Sequence, residues 1–140
     1  KLRENTCDAI GVNLDPSHLW WQGIDPVGAI KILGEAGAIH HFHAKDTYLD
    51  QDNINMYGLL DMQPYGDVKT RAWTFRSVGC GHDVKVWSDM MSALRMYGYD
   101  YVVSIEHEDP LMSIDEGLNR AVTNLQSVLI KETPQDMWWA

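Results

Sequence analysis

Three residues with ligand chemistry stand at matching places in this 140-residue chain: Asp15, His43 and Glu106. Each lies at or near the C-terminal end of a short run (10–15, 38–46 and 101–108) that reads as a buried parallel strand. If those strands are neighbours, the three side chains converge on one point. Two carboxylates and an imidazole form a mixed oxygen and nitrogen ligand set, which suits Mn²⁺, Co²⁺, Mg²⁺, Fe²⁺ or Zn²⁺ without choosing among them. Taken singly, each residue has a plainer reading. A strand-end Asp often caps a loop, and a strand His often hydrogen-bonds inside a core. It is their coincidence at three equivalent strand ends that favours a metal.

Other polar residues cluster near the same ends. His18, in Asp15-Pro16-Ser17-His18, follows the first strand and is placed to hydrogen-bond a substrate or a ligand carboxylate. Lys45 and Asp46 either pair at the rim or contact substrate hydroxyls. His41, one pleat below His43, is the fallback ligand. Trp20, Trp21, Trp73 and Tyr48 are candidates for stacking on a sugar ring, with Trp21 the preferred one, although aromatic residues at such a place often serve packing alone. Gly79-Cys80-Gly81 lacks the rest of a dinucleotide fingerprint and reads as a tight turn.

The elements that must position these residues follow from patterning. Helices are expected from Pro26, with Asp25 as N-cap and Gly37 as stop; over 84–96, ending at Gly98; and from Ser113, where Ser113-Ile114-Asp115-Glu116 has the form of a capping box. The apolar positions are Val27, Ile30 and Leu33 in the first and Val84, Trp87, Met91 and Leu94 in the second. In the third they are Leu118, Ala121, Val122, Leu125 and Leu129. Strands alternating with helices argue for a parallel α/β sheet. Ile10, Val12 and Leu14 share one face of the first strand, and Gly11, Asn13 and Asp15 share the other. Phe42 and Ala44 likewise oppose His41, His43 and Lys45, and Val103 and Ile105 oppose Val102, Ser104, Glu106 and Glu108. One apolar face, with a second that turns polar at its C-terminal end, fits a barrel with a site at its mouth better than an open sheet apolar on both faces. The expected fold is thus about three strands and three to four helices, one domain over residues 1–140, with residues 47–81 as a long mouth-side loop or lid. Three such units cannot close an eight-stranded barrel of about 250 residues.

The bulk numbers narrow the function classes. A formal charge of −9, from 11 Lys and Arg against 20 Asp and Glu, opposes a nucleic-acid partner. No apolar run approaches the roughly 20 residues of a membrane span. Cys7 and Cys80 are too few for a disulfide framework, so a reducing, cytoplasmic setting is expected. The chain opens Lys1-Leu2-Arg3-Glu4 without Met, as though inside a helix, and the expectation is a fragment, a processed product or a partial gene.

Asp15-Pro16-Ser17-His18, His41-Phe42-His43-Ala44-Lys45-Asp46 and Ser104-Ile105-Glu106-His107-Glu108-Asp109-Pro110 together resemble the sugar phosphate isomerase/epimerase family with the xylose isomerase-like TIM barrel. The resemblance covers nearly the whole chain and falls on that family's last three strands. It implies a divalent metal held by Glu, Asp, His and Glu, with Asp15, His43 and Glu106 as the last three. It also implies His18 as a substrate contact and Glu106 as one of two acid/base carboxylates that move a proton next to a carbonyl. The first Glu belongs to a strand before Asp15, and the family's Arg has only Arg71 and Arg76 as candidates. The implied activity is metal-dependent isomerisation or epimerisation of a keto sugar or sugar phosphate through an enediolate. The alternatives are dehydration or lyase cleavage of a keto-inositol or 3-keto sugar, and a non-catalytic partial barrel that self-associates. The same scaffold hosts endonucleases acting at abasic DNA sites, which the acidic charge disfavours. Expected partners are a small carbohydrate and a second copy or the missing barrel half.

Overall fold

Strand alternation becomes a one-sided sheet. In the computed structural model, which describes residues 1–137 and 139, a 3-10 turn at Arg3–Asn5 precedes β1 (Val12–Leu14), α1 (Pro16–Trp20), α2 (Pro26–Glu35) and β2 (Ile39–Ala44). There follow β3 (Asp46–Leu49), α3 (Gln51–Tyr57), β4 (Trp73–Arg76), α4 (Val84–Met96), β5 (Val103–Ile105) and α5 (Ile114–Val128). The sheet has the order β1-β2-β5 and is parallel throughout, with Leu14 beside Phe42 and His43 beside Ser104. Spatial order equals chain order. Leu14, Phe42 and Ala44 are buried against Ile30 of α2, Trp87, Met90 and Leu94 of α4, and Ala121 and Leu125 of α5. Full burial of a side chain such as Phe42 contributes on the order of 2–3 kcal/mol. On the other face, Asn13 is exposed and His41, His43 and Ser104 are half-buried. A singly wound parallel sheet with its core on one face is an arc of a (β/α) barrel, and the barrel is not closed.

The helix ends follow local chemistry. The Asp25 carboxylate accepts from the amides of Val27 and Gly28 at 3.1 and 2.9 Å, and Asp83 caps α4 through the Val86 amide at 3.1 Å. Ser113 accepts from the Glu116 amide at 3.2 Å, but the Glu116 side chain turns to Arg120 at 2.9 Å, so only half of the expected capping box forms. Two expectations for buried faces need correction. Val84, at the first position of α4, is exposed, and so are Leu118, Val122 and Leu129. The buried stripe of α5 is Gly117, Ala121, Leu125 and Val128, because this is the side on which α5 packs against α4 and β5.

Residues 47–81 hold more structure than a loop. Strands β3 and β4 form an antiparallel ribbon pairing Asp46 with Arg76, Thr47 with Phe75, Tyr48 with Thr74 and Leu49 with Trp73. Helix α3 lies between them, capped by Asp50 through the Asn53 amide at 3.0 Å. The Thr47 hydroxyl donates to the Ser17 carbonyl at 2.9 Å, tying the ribbon to α1 beside the C-terminal ends of the sheet. Among the described residues, no helix is long and apolar enough to cross a membrane.

Candidate metal centre

Asp15 caps α1, and this decides which of its oxygens is free. Oδ1 accepts from the Ser17 amide at 2.9 Å and from the Ser17 hydroxyl at 2.7 Å. Oδ2 faces the sheet mouth, 3.6 Å from His18 Nε2 and 3.4 Å from Lys45 Nζ. His43 projects from β2 with Nε2 3.3 Å from the Asn13 side-chain Nδ2 and Nδ1 3.1 Å from Oε2 of Glu106, which follows β5. One ligand atom each from Asp15, His43 and Glu106 lies within 4.8 Å of the others, the only such group of three found among the described residues. His41 stays out of it, its Nε2 2.7 Å from the Ser104 hydroxyl.

Lys45 lies under this cluster and is only 1% exposed. Its ammonium lies 3.4 Å from Asp15, 3.2 Å from Glu106 and 3.2 Å from Glu108, and 4.4 Å from the centre of the Phe75 ring. Burial pulls its pKa down, but the Asp15 charge and the bonds to Glu106 and Glu108 more than reverse this, and the net shift is upward. Glu106 shifts the opposite way. Burial raises its pKa, yet hydrogen bonding with Glu108 and Lys45, the Lys45 charge and His43 hold it below the ordinary range. Three carboxylates around one ammonium leave a net charge of −2 with the imidazoles neutral, a field suited to a divalent cation.

A wall of rings stands beside the cluster. Trp21 stacks on Trp73 at 5.1 Å, and its indole nitrogen is 3.4 Å from His18 Nδ1. Phe75 meets the His18 ring edge-on at 5.2 Å, and Arg71 lies over both Tyr65 and Trp73, at 4.6 and 4.4 Å. Trp20 is buried between His82, at 3.9 Å, and Trp87, at 5.9 Å, so it offers no stacking face at the mouth.

Lys45 and Asp46 do not pair at the rim. Adjacent residues of an extended chain point to opposite sides, and Asp46 is fully buried on the other one. Its carboxylate accepts from the amides of Thr47, Gly79, Gly81 and His82 and from the Trp87 indole, and bonds the His82 ring at 2.9 Å. Gly79-Cys80-Gly81 is indeed a tight turn, and its glycines have reasons to be there. Gly79 adopts φ +81°, and a Cβ on Gly81 would stand 2.4 Å from the Thr47 carbonyl carbon. Arg76 is also spoken for, donating to the buried Asp109 at 3.0 Å. Sequence reasoning missed the part played by Glu108 and the role of Asp46. The signal for the second was a lone acid facing a glycine turn just ahead of a helix N-terminus.

Comparison with known proteins agrees with this arrangement. The chain is 40% identical over 129 residues to the uncharacterized protein YfiH of Bacillus subtilis (strain 168), covering 92% of this chain and 41% of that protein, so it spans about two fifths of the relative's length. Its fold superposes on the crystal structure of a xylose isomerase domain protein from Planctomyces limnophilus with a TM-score of 0.58 and 22% identity, covering 84% of this chain and 37% of that one. Residues 2–127 match the xylose isomerase-like TIM barrel family. Singly wound strands, a core on one face, polar groups gathered at the strand ends and this match have one reading: the chain belongs to the xylose isomerase-like TIM barrel family.

Proposed function

We propose that Asp15, His43 and Glu106 hold a divalent metal, and that the protein isomerises or epimerises a keto sugar or sugar phosphate. The observation that carries this is the approach of three ligand atoms within 4.8 Å. First-row divalent ions bind oxygen and nitrogen at about 2.0–2.2 Å, so two ligands of one ion stand roughly 3 Å apart when adjacent and just over 4 Å when opposed. The 3.1 Å between His43 and Glu106 meets the adjacent case, and a small closure brings in Asp15 Oδ2. The side chains of His43 and Glu106 are 31% and 38% exposed, which leaves an open side for substrate oxygens.

The metal, when bound, supplies Lewis-acid stabilisation to an enediolate formed from the substrate's carbonyl and adjacent hydroxyl. Glu106 is held ionised by its neighbours and moves the proton at the carbon next to the carbonyl. His18, exposed beside Asp15, contacts a substrate hydroxyl, and Trp21 with Trp73 forms the wall against which a ring or chain lies. The second carboxylate of a two-carboxylate exchange is not supplied by these residues. Among the described residues, β1 and β5 are the edge strands of the three-stranded sheet, and association through their outer edges, with a second copy or the rest of a barrel, is part of the proposal.

Calorimetric titration of Mn²⁺ and Co²⁺ into the metal-free chain tests the centre. One site per chain, lost in His43→Ala and Glu106→Ala, is expected. Absence of binding to the folded wild-type chain would overturn the assignment. Turnover is read separately, as solvent deuterium appearing next to the carbonyl of a ketose.

A further inference from the structure

The oxygens a metal needs are already taken. Asp15 Oδ1 is committed to Ser17, so a cation must use Oδ2, and that atom lies 3.4 Å from Lys45 Nζ. Glu106 offers Oε2 beside His43 Nδ1, and that atom too lies 3.2 Å from Lys45 Nζ. The ammonium is fully buried, cannot reach solvent for its charge, and has two further partners besides these two carboxylates. These are Glu108 at 3.2 Å and the face of Phe75 at 4.4 Å. A buried cation bridging two ligand carboxylates has the position of a counter-ion for the empty site.

Resting on the metal reading above, we propose that Lys45 is an internal competitor for the divalent ion: it neutralises Asp15 and Glu106 in the metal-free chain and withdraws onto Glu108 and Phe75 when the ion binds. It is a positioning residue, and it sets metal affinity. With Lys45 present, a divalent ion must displace one positive charge and then remain a few ångströms from it. Without Lys45, three carboxylates face one another with no cation, and the site gains affinity while the metal-free fold loses stability. A lysine that merely scaffolds the ligands gives the opposite sign, because its loss would let them scatter and weaken binding.

The test is Mn²⁺ titration by calorimetry of the wild-type chain, Lys45→Met and Lys45→Gln, with thermal melts of each with and without Mn²⁺. Lys45→Gln keeps a donor for the carboxylates and guards against a Met variant that fails to fold. The expected result is binding at least about tenfold tighter in the variants, as loss of a unit charge this close to the ion predicts. Their metal-free melting temperatures should fall and their rise on adding Mn²⁺ should exceed that of the wild type. Equal or weaker binding in a folded variant, with a wild-type chain that binds, overturns the competitor role alone. A folded wild-type chain and variants that all fail to bind overturn the metal centre and the competitor role together.

Discussion

Lys45 and Asp46 are chain neighbours at one strand end, and the carboxylate of Asp46 lies on the opposite side from the carboxylates that surround Lys45. Asp46 collects four backbone amides, an indole and an imidazole, and is completely buried. Asp15, Glu106 and Glu108 share one ammonium, and the two glutamates remain partly exposed. A buried anion whose lone pairs are all filled by fixed donors has nothing left to offer a ligand, and its loss is a loss of fold. Anions that outnumber their counter-charge and open to solvent on one side have capacity to spare. The difference separates a structural carboxylate from a functional one without reference to residue type.

The contrast is broken most directly at its structural pole. Asp46→Asn leaves several donors facing a group that repels or cannot accept them, and should cost about 3–5 kcal/mol in urea denaturation. A loss below about 1 kcal/mol would mean that the buried carboxylate is dispensable. Gly81→Ala probes the same nest from the backbone, since the added methyl meets the Thr47 carbonyl. About 2–3 kcal/mol is expected, read as a lower urea midpoint at unchanged slope. At the functional pole, His43→Ala should move the metal-free stability by less than about 1 kcal/mol while abolishing the Mn²⁺ heat signal. A large stability loss there would erase the distinction.

The smallest effect concerns acid. Asp109 resembles Asp46 in being buried and accepting from the Ser77 and Leu111 amides at 2.8 and 2.9 Å and from Arg76. Burial raises its pKa, but these donors outweigh it and the net shift is downward. The unfolded chain then binds the proton first as pH falls. The contribution of Asp109 is complete above the ordinary carboxylate value near 3.9 and fades as pH drops through the lowered folded value. Urea midpoints of wild type and Asp109→Asn should therefore differ at pH 6 and draw together on acidification. A gap that stays constant would mean that the folded and unfolded pKa values coincide.

Much of the frame was legible in the residues. The three parallel strands, the Asp25 and Ser113 helix starts, the span of α4 and the meeting of Asp15, His43 and Glu106 all follow from period and spacing, because each depends on local rules plus strand adjacency. The ribbon of residues 47–81 was opaque. Asp46–Leu49 and Trp73–Arg76 pair antiparallel across a helix and a glycine-containing turn, so no local rule joins the one to the other. The flanks of α4 and α5 misled for a different reason. Periodicity marks which residues are apolar, and burial depends on what arrives to cover them, so Leu118 and Val122 stand exposed.

The Asp46 clasp has an evolutionary consequence. By gripping residues 79–82 it pins the far end of the ribbon to the strand that carries His43, so that both ends of residues 47–78 are moored within one carboxylate's reach. A segment moored at both ends is a cassette. Its length adds only a slowly growing closure entropy, and the part between β3 and β4 can be exchanged while Thr47, Phe75 and Arg76 keep their contacts with the sheet end. New substrate walls can thus be traded in beside an unaltered ligand triad, and chimeras should be cut inside the ribbon, at positions 50 and 72.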